Sequence, residues 1–271
     1  MEITWNIILL LILCGILFGA LTTMAGSGGG VFYVSFMVLI FGMAFDEARD
    51  TSIFIMVIAS GTAFFSYLRQ GRTDLKLSLI FTTFAILGSV LCWIFLFFYP
   101  ISNQLLKIVF GLVLLVIAAN MILKISFDKK NGNSSENFDS NFHLNDFNYK
   151  KDLKRGIPFF IAAGFTSRLI GIGGGVIAGP SLHIIFGFPI HYATAISSSI
   201  VFFTAIFNMI LLIFYGNINY IVGAFLAIGS VLGAVIGAKL SHRMSTTYLQ
   251  IFVALLLIFI GINMLFPIIS V

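Results

Sequence analysis

Arg168 is the residue whose type and placement call most strongly for a chemical role. It interrupts an otherwise apolar run that reads Gly164-Phe165-Thr166-Ser167-Arg168-Leu169-Ile170-Gly171. An arginine at membrane depth costs about 2.5–3.5 kcal/mol on insertion scales. Its planar fork matches the oxygens of sulfonate, sulfite, phosphate or carboxylate. Thr166 and Ser167 beside it carry hydroxyl donors. Gly173, Gly174 and Gly175 follow, just before a helix predicted from Val176. Backbone N–H groups left free at a helix start, together with the positive end of the helix dipole, favour an anion. The plain alternative for Arg168 is a side chain that snorkels to the membrane interface.

The same pattern stands 145 residues earlier. Gly19 matches Gly164, Gly26 matches Gly171, and Gly28, Gly29 and Gly30 match Gly173, Gly174 and Gly175. Thr22, Thr23 and Ser27 give this copy its own hydroxyls. Thr23 occupies the place of Arg168, so a site built from both copies is asymmetric, with its charge on the second. Each glycine costs about 1 kcal/mol relative to alanine in a helix, so two clusters at matching positions imply a purpose. Close helix packing competes with anion binding as that purpose.

The elements that must position these residues are membrane helices. The chain has 271 residues, 59% of them hydrophobic and 9% charged, with a mean hydropathy of +1.09. That excludes a water-soluble domain. Ten apolar segments follow one another, and the two-residue alternation of a membrane barrel is absent. The first starts at Trp5 behind Met1-Glu2 with no basic stretch, and reads as a retained membrane segment. The third is predicted to begin near Thr51 and the fifth to end near Leu123. The second, sixth and seventh are too short for ordinary spans, so each half could hold a re-entrant hairpin, for a total of 8 to 10 segments. Residues 124–155 change to Asn, Ser, Asp and Lys and read as a polar linker between repeats at 1–123 and 156–271.

Five segments per half is odd, so the second half is predicted to lie upside down. The charges agree. The loop after the third segment carries Arg69, Arg72 and Lys76, whereas its equivalent is uncharged. The next loop reverses the pattern, with Lys239 and Arg243 in the second half only. Placing basic loops inside puts the linker in the cytoplasm and both termini outside, leaving Arg49, Lys107 and Arg168 as the exceptions. Paired glycine breaks in inverted repeats predict a transporter that works by alternating access.

Other chemistries lack their residues. No Asp or Glu follows Asp152, and none is expected in the middle of an apolar segment, which speaks against proton relays and carboxylate cation sites. No Lys-Ser/Thr follows either glycine cluster, and no zinc or dinucleotide motif is present. Cys14 and Cys92 read as buried thiols. The expectation is therefore no enzyme, cofactor, metal or nucleic acid, with a small anion and the lipid bilayer as partners and homo-oligomerisation left open. An anion channel, or a non-transport membrane protein that uses the glycines for packing, remains an alternative.

The run Gly164-x6-Gly171-x-Gly173-Gly174-Gly175 followed by Pro180-x-Leu182, repeated more loosely from Gly19, resembles the signature of the sulfite exporter TauE/SafE family of membrane permeases. The resemblance implies transport of sulfite, small organosulfonates or related sulfur-containing anions across the plasma membrane. The first copy departs from the pattern, with Ser35 in the place of Pro180.

Overall fold

The computed structural model describes residues 5–130, 152–241 and 246–266. Ten helices lie among them: α1 (Trp5–Ala25), α2 (Gly30–Leu39), α3 (Phe45–Arg69), α4 (Leu75–Phe98), α5 (Asn103–Lys130), α6 (Leu153–Ile170), α7 (Gly175–Ile184), α8 (Ile190–Tyr215), α9 (Tyr220–Leu240) and α10 (Thr246–Leu265). Among the described residues α1, α3, α4, α8, α9 and the Asn103–Ile122 part of α5 are long and apolar enough to cross a membrane. α2 and α7 have 10 residues each, which is about 15 Å of helix and half the hydrocarbon thickness. The expected linker contributes its first residues to α5 and its last to α6. Its middle, 131–151, lies outside the described residues, as does Arg243.

One expectation is corrected. α3 begins at Phe45, not near Thr51, because Asp46 and Glu47 in its first turn complement the helix dipole. Asn103 also accepts from the Asp46 backbone N–H at 3.3 Å, while its own amide donates to the Asp46 carboxylate at 3.1 Å. Asp50 therefore lies inside a spanning helix and is buried. No carboxylate was expected in the middle of an apolar segment, and Asp50 lies in the second turn of α3, near its start, where it is buried.

Helix pairing obeys an exchange between halves. α1 packs on α9, and its equivalent α6 packs on α4, the equivalent of α9. α3 packs on its own equivalent α8, and α5 on α10. Small residues allow the close approaches: Gly15 and Gly19 of α1 press on Gly229 and Ser230 of α9, and Gly164 of α6 on Ala85 of α4. The caps repeat as well, since Asp74 accepts from Leu77 N at 3.1 Å and Asn219 from Val222 N at 3.2 Å.

The contacts fix the directions. Asp50 at the start of α3 meets Asn217 beyond the end of α8, whereas Thr73 beyond the end of α3 meets Ser199 near the start of α8. α3 and α8 are antiparallel, as are α5 and α10, where Gly111 faces Leu265 and Gly261 faces Leu115. Equivalent helices thus run oppositely, and the repeats are inverted. α1 and α3 both run parallel to α9, with Gly15 beside Gly229, Ala20 beside Gly237, Thr51 beside Gly223 and Gln70 bonded to the Ala238 carbonyl. α1 and α3 therefore start on the same face, so the α1–α2 hairpin returns to the side it left, and because its turn at Gly28 packs against Val201 at the middle of α8 it turns back at mid-depth. By the exchange, α6–α7 does the same from the opposite face. Arg69, Arg72, Lys76, Lys154, Arg155 and Lys239 gather at the face where α3 ends.

Candidate functional site

The two re-entrant hairpins meet halfway along α3 and α8. Gly28 packs against Val201 at the middle of α8, and Gly173 packs against Val201 and its equivalent Met56 at the middle of α3. The hairpin turns have the same build. Gly29 caps α2 at φ 90° and Gly174 caps α7 at φ 68°, a left-handed conformation that side chains disfavour. Gly30 lies against the Gly171 carbonyl, and Gly175 lies against the Gly26 carbonyl and Ser27, so neither has room for a Cβ. Two serines at equivalent positions tie each turn down. Ser52 Oγ donates toward the Gly171 carbonyl at 3.2 Å and the Arg49 carbonyl at 2.7 Å. Ser197 Oγ donates toward the Gly26 carbonyl at 2.8 Å and the Gly175 carbonyl at 3.1 Å. α2 and α7 differ in one device: Pro180 has no N–H for the Val176 carbonyl, whereas Ser35 Oγ donates to the equivalent Val31 carbonyl at 2.5 Å.

Arg168 is buried, and it does not snorkel. Its Nη1 donates to Asp50 Oδ1 at 3.2 Å, and Arg49 Nε donates to the same oxygen at 2.9 Å. The Asn217 backbone N–H donates to Asp50 Oδ2 at 3.2 Å. Two guanidinium groups share one carboxylate, so the group keeps an excess positive charge, and Arg168 Nε is buried without a partner. Charges out of water need both a counter-charge and filled hydrogen bonds, and here the second condition is incomplete.

The other flank of the glycine contact is uncharged. Thr22, Thr23 and Gly28 line a half-enclosed cavity with Ala59, Ser60, Ala63 and Ser198. The space suits about one water molecule. It lies on the side of the contact nearer the basic face. Several hydroxyls there are engaged: Thr22 Oγ1 donates to the Gly19 carbonyl at 3.2 Å, Ser60 to the Met56 carbonyl, and Ser198 to the Thr194 carbonyl at 3.0 Å. Ser27 Oγ is buried with no partner.

Of the residues expected at the site, Gly28, Gly29, Gly30, Gly173, Gly174 and Gly175 converge, with Ser27 between them. Thr22 and Thr23 face the cavity, and Arg168 and the buried Ser167 lie on the opposite flank. Thr166 is half-buried and spends its hydroxyl on the Ala162 and Ala163 carbonyls. His183 bonds the Phe188 carbonyl at 2.8 Å, as a packing histidine does. Asp50 and Asn217 were not foreseen. The adjacent pair Arg49-Asp50 just before Ser52 was the available signal, because Thr194-Ala195 stands at the equivalent place before Ser197.

The architecture defines a multi-pass membrane protein built from two inverted repeats around crossed re-entrant hairpins. A family profile described as sulfite exporter TauE/SafE matches residues 11–264, and the chain belongs to that family of membrane transporters. It is 23% identical to the probable membrane transporter protein YunE of Bacillus subtilis over 95% of this chain and 97% of that one. It is 25% identical to the probable membrane transporter protein YdhB of the same organism over 96% and 99%. Identity to the probable membrane transporter protein MJ0441 of Methanocaldococcus jannaschii is 27% over 94% of each chain. No solved structure matches.

Proposed function

We propose that this protein carries a small anion, sulfite or an organosulfonate, across the plasma membrane by alternating access at the contact between its two glycine turns. The observation that carries the reading is the meeting of two inverted half-helix N-termini halfway along α3 and α8. A positively charged flank at Arg168 lies on one side and a hydroxyl-lined cavity on the other. Free N–H groups at the starts of α2 and α7 receive the anion, with Thr23, Ser27 and Ser167 as hydroxyl donors, and Thr22, whose hydroxyl is held by the Gly19 carbonyl, shapes the cavity wall. Arg168 attracts it, and the incoming anion competes with Asp50 for the guanidinium. The basic face is cytoplasmic, so the termini lie outside.

Flux of radiolabelled sulfite, sulfate, taurine and sulfoacetate into proteoliposomes tests this. Saturable uptake of sulfite or a sulfonate is expected. Arg168→Gln is expected to lower uptake at limiting sulfite by about tenfold or more, the worth of a charge-assisted contact. Unchanged flux in that variant removes Arg168 from the site, and no flux of any anion removes the transport reading. Flux that does not saturate assigns a channel.

A further inference from the structure

Arg72 lies in the five-residue connection between α3 and α4, at the face where the basic residues gather. A loop arginine there is ordinarily solvated, yet this one is only 5% exposed. Its backbone N–H donates to the Tyr67 carbonyl at 3.1 Å, and its guanidinium carbon lies 6.0 Å from the Tyr67 ring centre. Nη1 is buried without a partner. None of the ion pairs among the described residues includes Arg72. The nearest acid in sequence, Asp74, holds the α4 start through Leu77 N. Burial lowers the Arg72 pKa from its ordinary value, with Tyr67 and Tyr192 opposing the shift. Arginine nonetheless stays charged at physiological pH.

The surroundings of Arg72 point toward the transport path. Tyr67 Oη donates to the Thr23 carbonyl at 2.8 Å, and Thr23 lines the cavity with Ala63, one helical turn before Tyr67. Thr73, next to Arg72, pairs with Ser199 at 3.0 Å, beside cavity-lining Ser198. From the glycine contact toward the basic face the order is cavity, Tyr67, Arg72. Under the 145-residue exchange Arg72 corresponds to Asn217, which bonds Asp50, and Thr23 corresponds to Arg168. The second flank thus draws its cation from a loop where the first draws it from a helix end.

We propose that Arg72 is the anion-binding residue on the basic-face side of the path, taking an oxygen of a small oxyanion on its unpaired Nη1, with Tyr67 as the side chain that separates it from the cavity at Thr23. This rests on the anion-transport reading. A buried guanidinium N–H without a partner receives one oxygen of such an anion in a charge-assisted hydrogen bond.

Equilibrium binding of radiolabelled sulfite to the purified full-length protein tests it, with Arg72→Gln compared against Arg69→Gln and Lys76→Gln. Both controls remove one charge from exposed positions on the same face. Arg72→Gln is expected to weaken sulfite binding by about tenfold or more, and each control by less than about twofold. Wild-type affinity in Arg72→Gln overturns the proposal. Equal weakening in all three does so too, because the effect is then the field of the face. If Arg72→Gln does not fold, Arg72→Lys keeps the charge without the fork and is expected to bind about threefold more weakly or worse. Wild-type affinity in that variant overturns the assignment. No binding or flux of any anion by the wild type overturns the transport reading itself, and this proposal with it.

Discussion

At Gly171 the re-entrant turn leans on Arg49 and Ser52, and at Gly26 the equivalent turn leans on Thr194, with Ser197 in the place of Ser52. The backbone frame is the same and the side chains are not. On the Gly171 flank a carboxylate of the first half, Asp50, holds an arginine of the second, Arg168, and a loop N–H from Asn217 closes over it. On the Gly26 flank Ala195 stands for Asp50 and Thr23 for Arg168, and Thr23 lines the cavity there. Duplication supplies a frame in which both halves can break a helix at the same depth. Divergence then decides which side is locked by charge and which is open to a small guest. On the alternating-access reading proposed above, the lock on the Gly171 flank opens, and the ion pairs are then the part of this difference that sets the direction of opening.

The feature common to both flanks is expected to be the least tolerant. Gly30→Ala places a methyl group into the Gly171 carbonyl, and Gly175→Ala places one into the Gly26 carbonyl, with backbone on both sides. Each should cost more than about 3 kcal/mol and appear as loss of monodisperse protein in detergent. Gly187→Ala is the opposite case, because Gly187 has a positive φ of 72°, which Gly30 and Gly175 lack, but nothing within 4 Å of an added Cβ. It should cost only about 1–2 kcal/mol. A tolerated Gly30→Ala would show that the halves do not depend on this contact.

The charged flank alone should respond next. Asp50→Asn leaves Arg49 and Arg168 buried together without a counter-charge, which typically costs about 3–5 kcal/mol. A lowered thermal midpoint is expected, with partial recovery in Asp50→Asn/Arg168→Gln, since the double variant removes one of the stranded charges. Full stability in Asp50→Asn would mean that water already screens this flank.

The helix pattern and the inversion were legible because both rest on repetition: apolar run lengths, loop charges and a register that Gly26, Gly28, Gly29 and Gly30 share with the second half. The short lengths of the second and seventh segments also foretold half-helices, though only the contacts of Gly28 and Gly173 with Val201, at the middle of α8, show that the hairpins turn back at mid-depth. The buried carboxylate was hidden by its neighbours. The run Phe45-Asp46-Glu47-Ala48-Arg49-Asp50 has the composition of a loop, and only a partner 118 residues away in sequence, Arg168, makes it a buried helix start. Arg72 was hidden for the opposite reason. Its loop context predicts solvation, and burial against Tyr67 depends on how α3 meets α8. The glycines were read for their free N–H groups, whereas their tightest observed role is to let two backbones touch.

The smallest expected effect separates the flanks most finely. Ser52→Ala and Ser197→Ala each remove one hydroxyl donor from a glycine carbonyl, for about 1 kcal/mol apiece. If the two turns were independent of their flanks, both variants would add simply to Asp50→Asn. Ser52 lies one helical turn from Arg49 and bonds its carbonyl, so it shares a network with the ion pairs. Ser197 instead bonds two glycine carbonyls, one from each half, on the uncharged flank. Thermal unfolding of the two double variants should therefore show a coupling of at least about 0.5 kcal/mol for Ser52 with Asp50, and additivity within about 0.3–0.5 kcal/mol for Ser197 with Asp50. Equal coupling in both would mean that strain passes through the glycine contact itself, and the two flanks would then open and close as one unit.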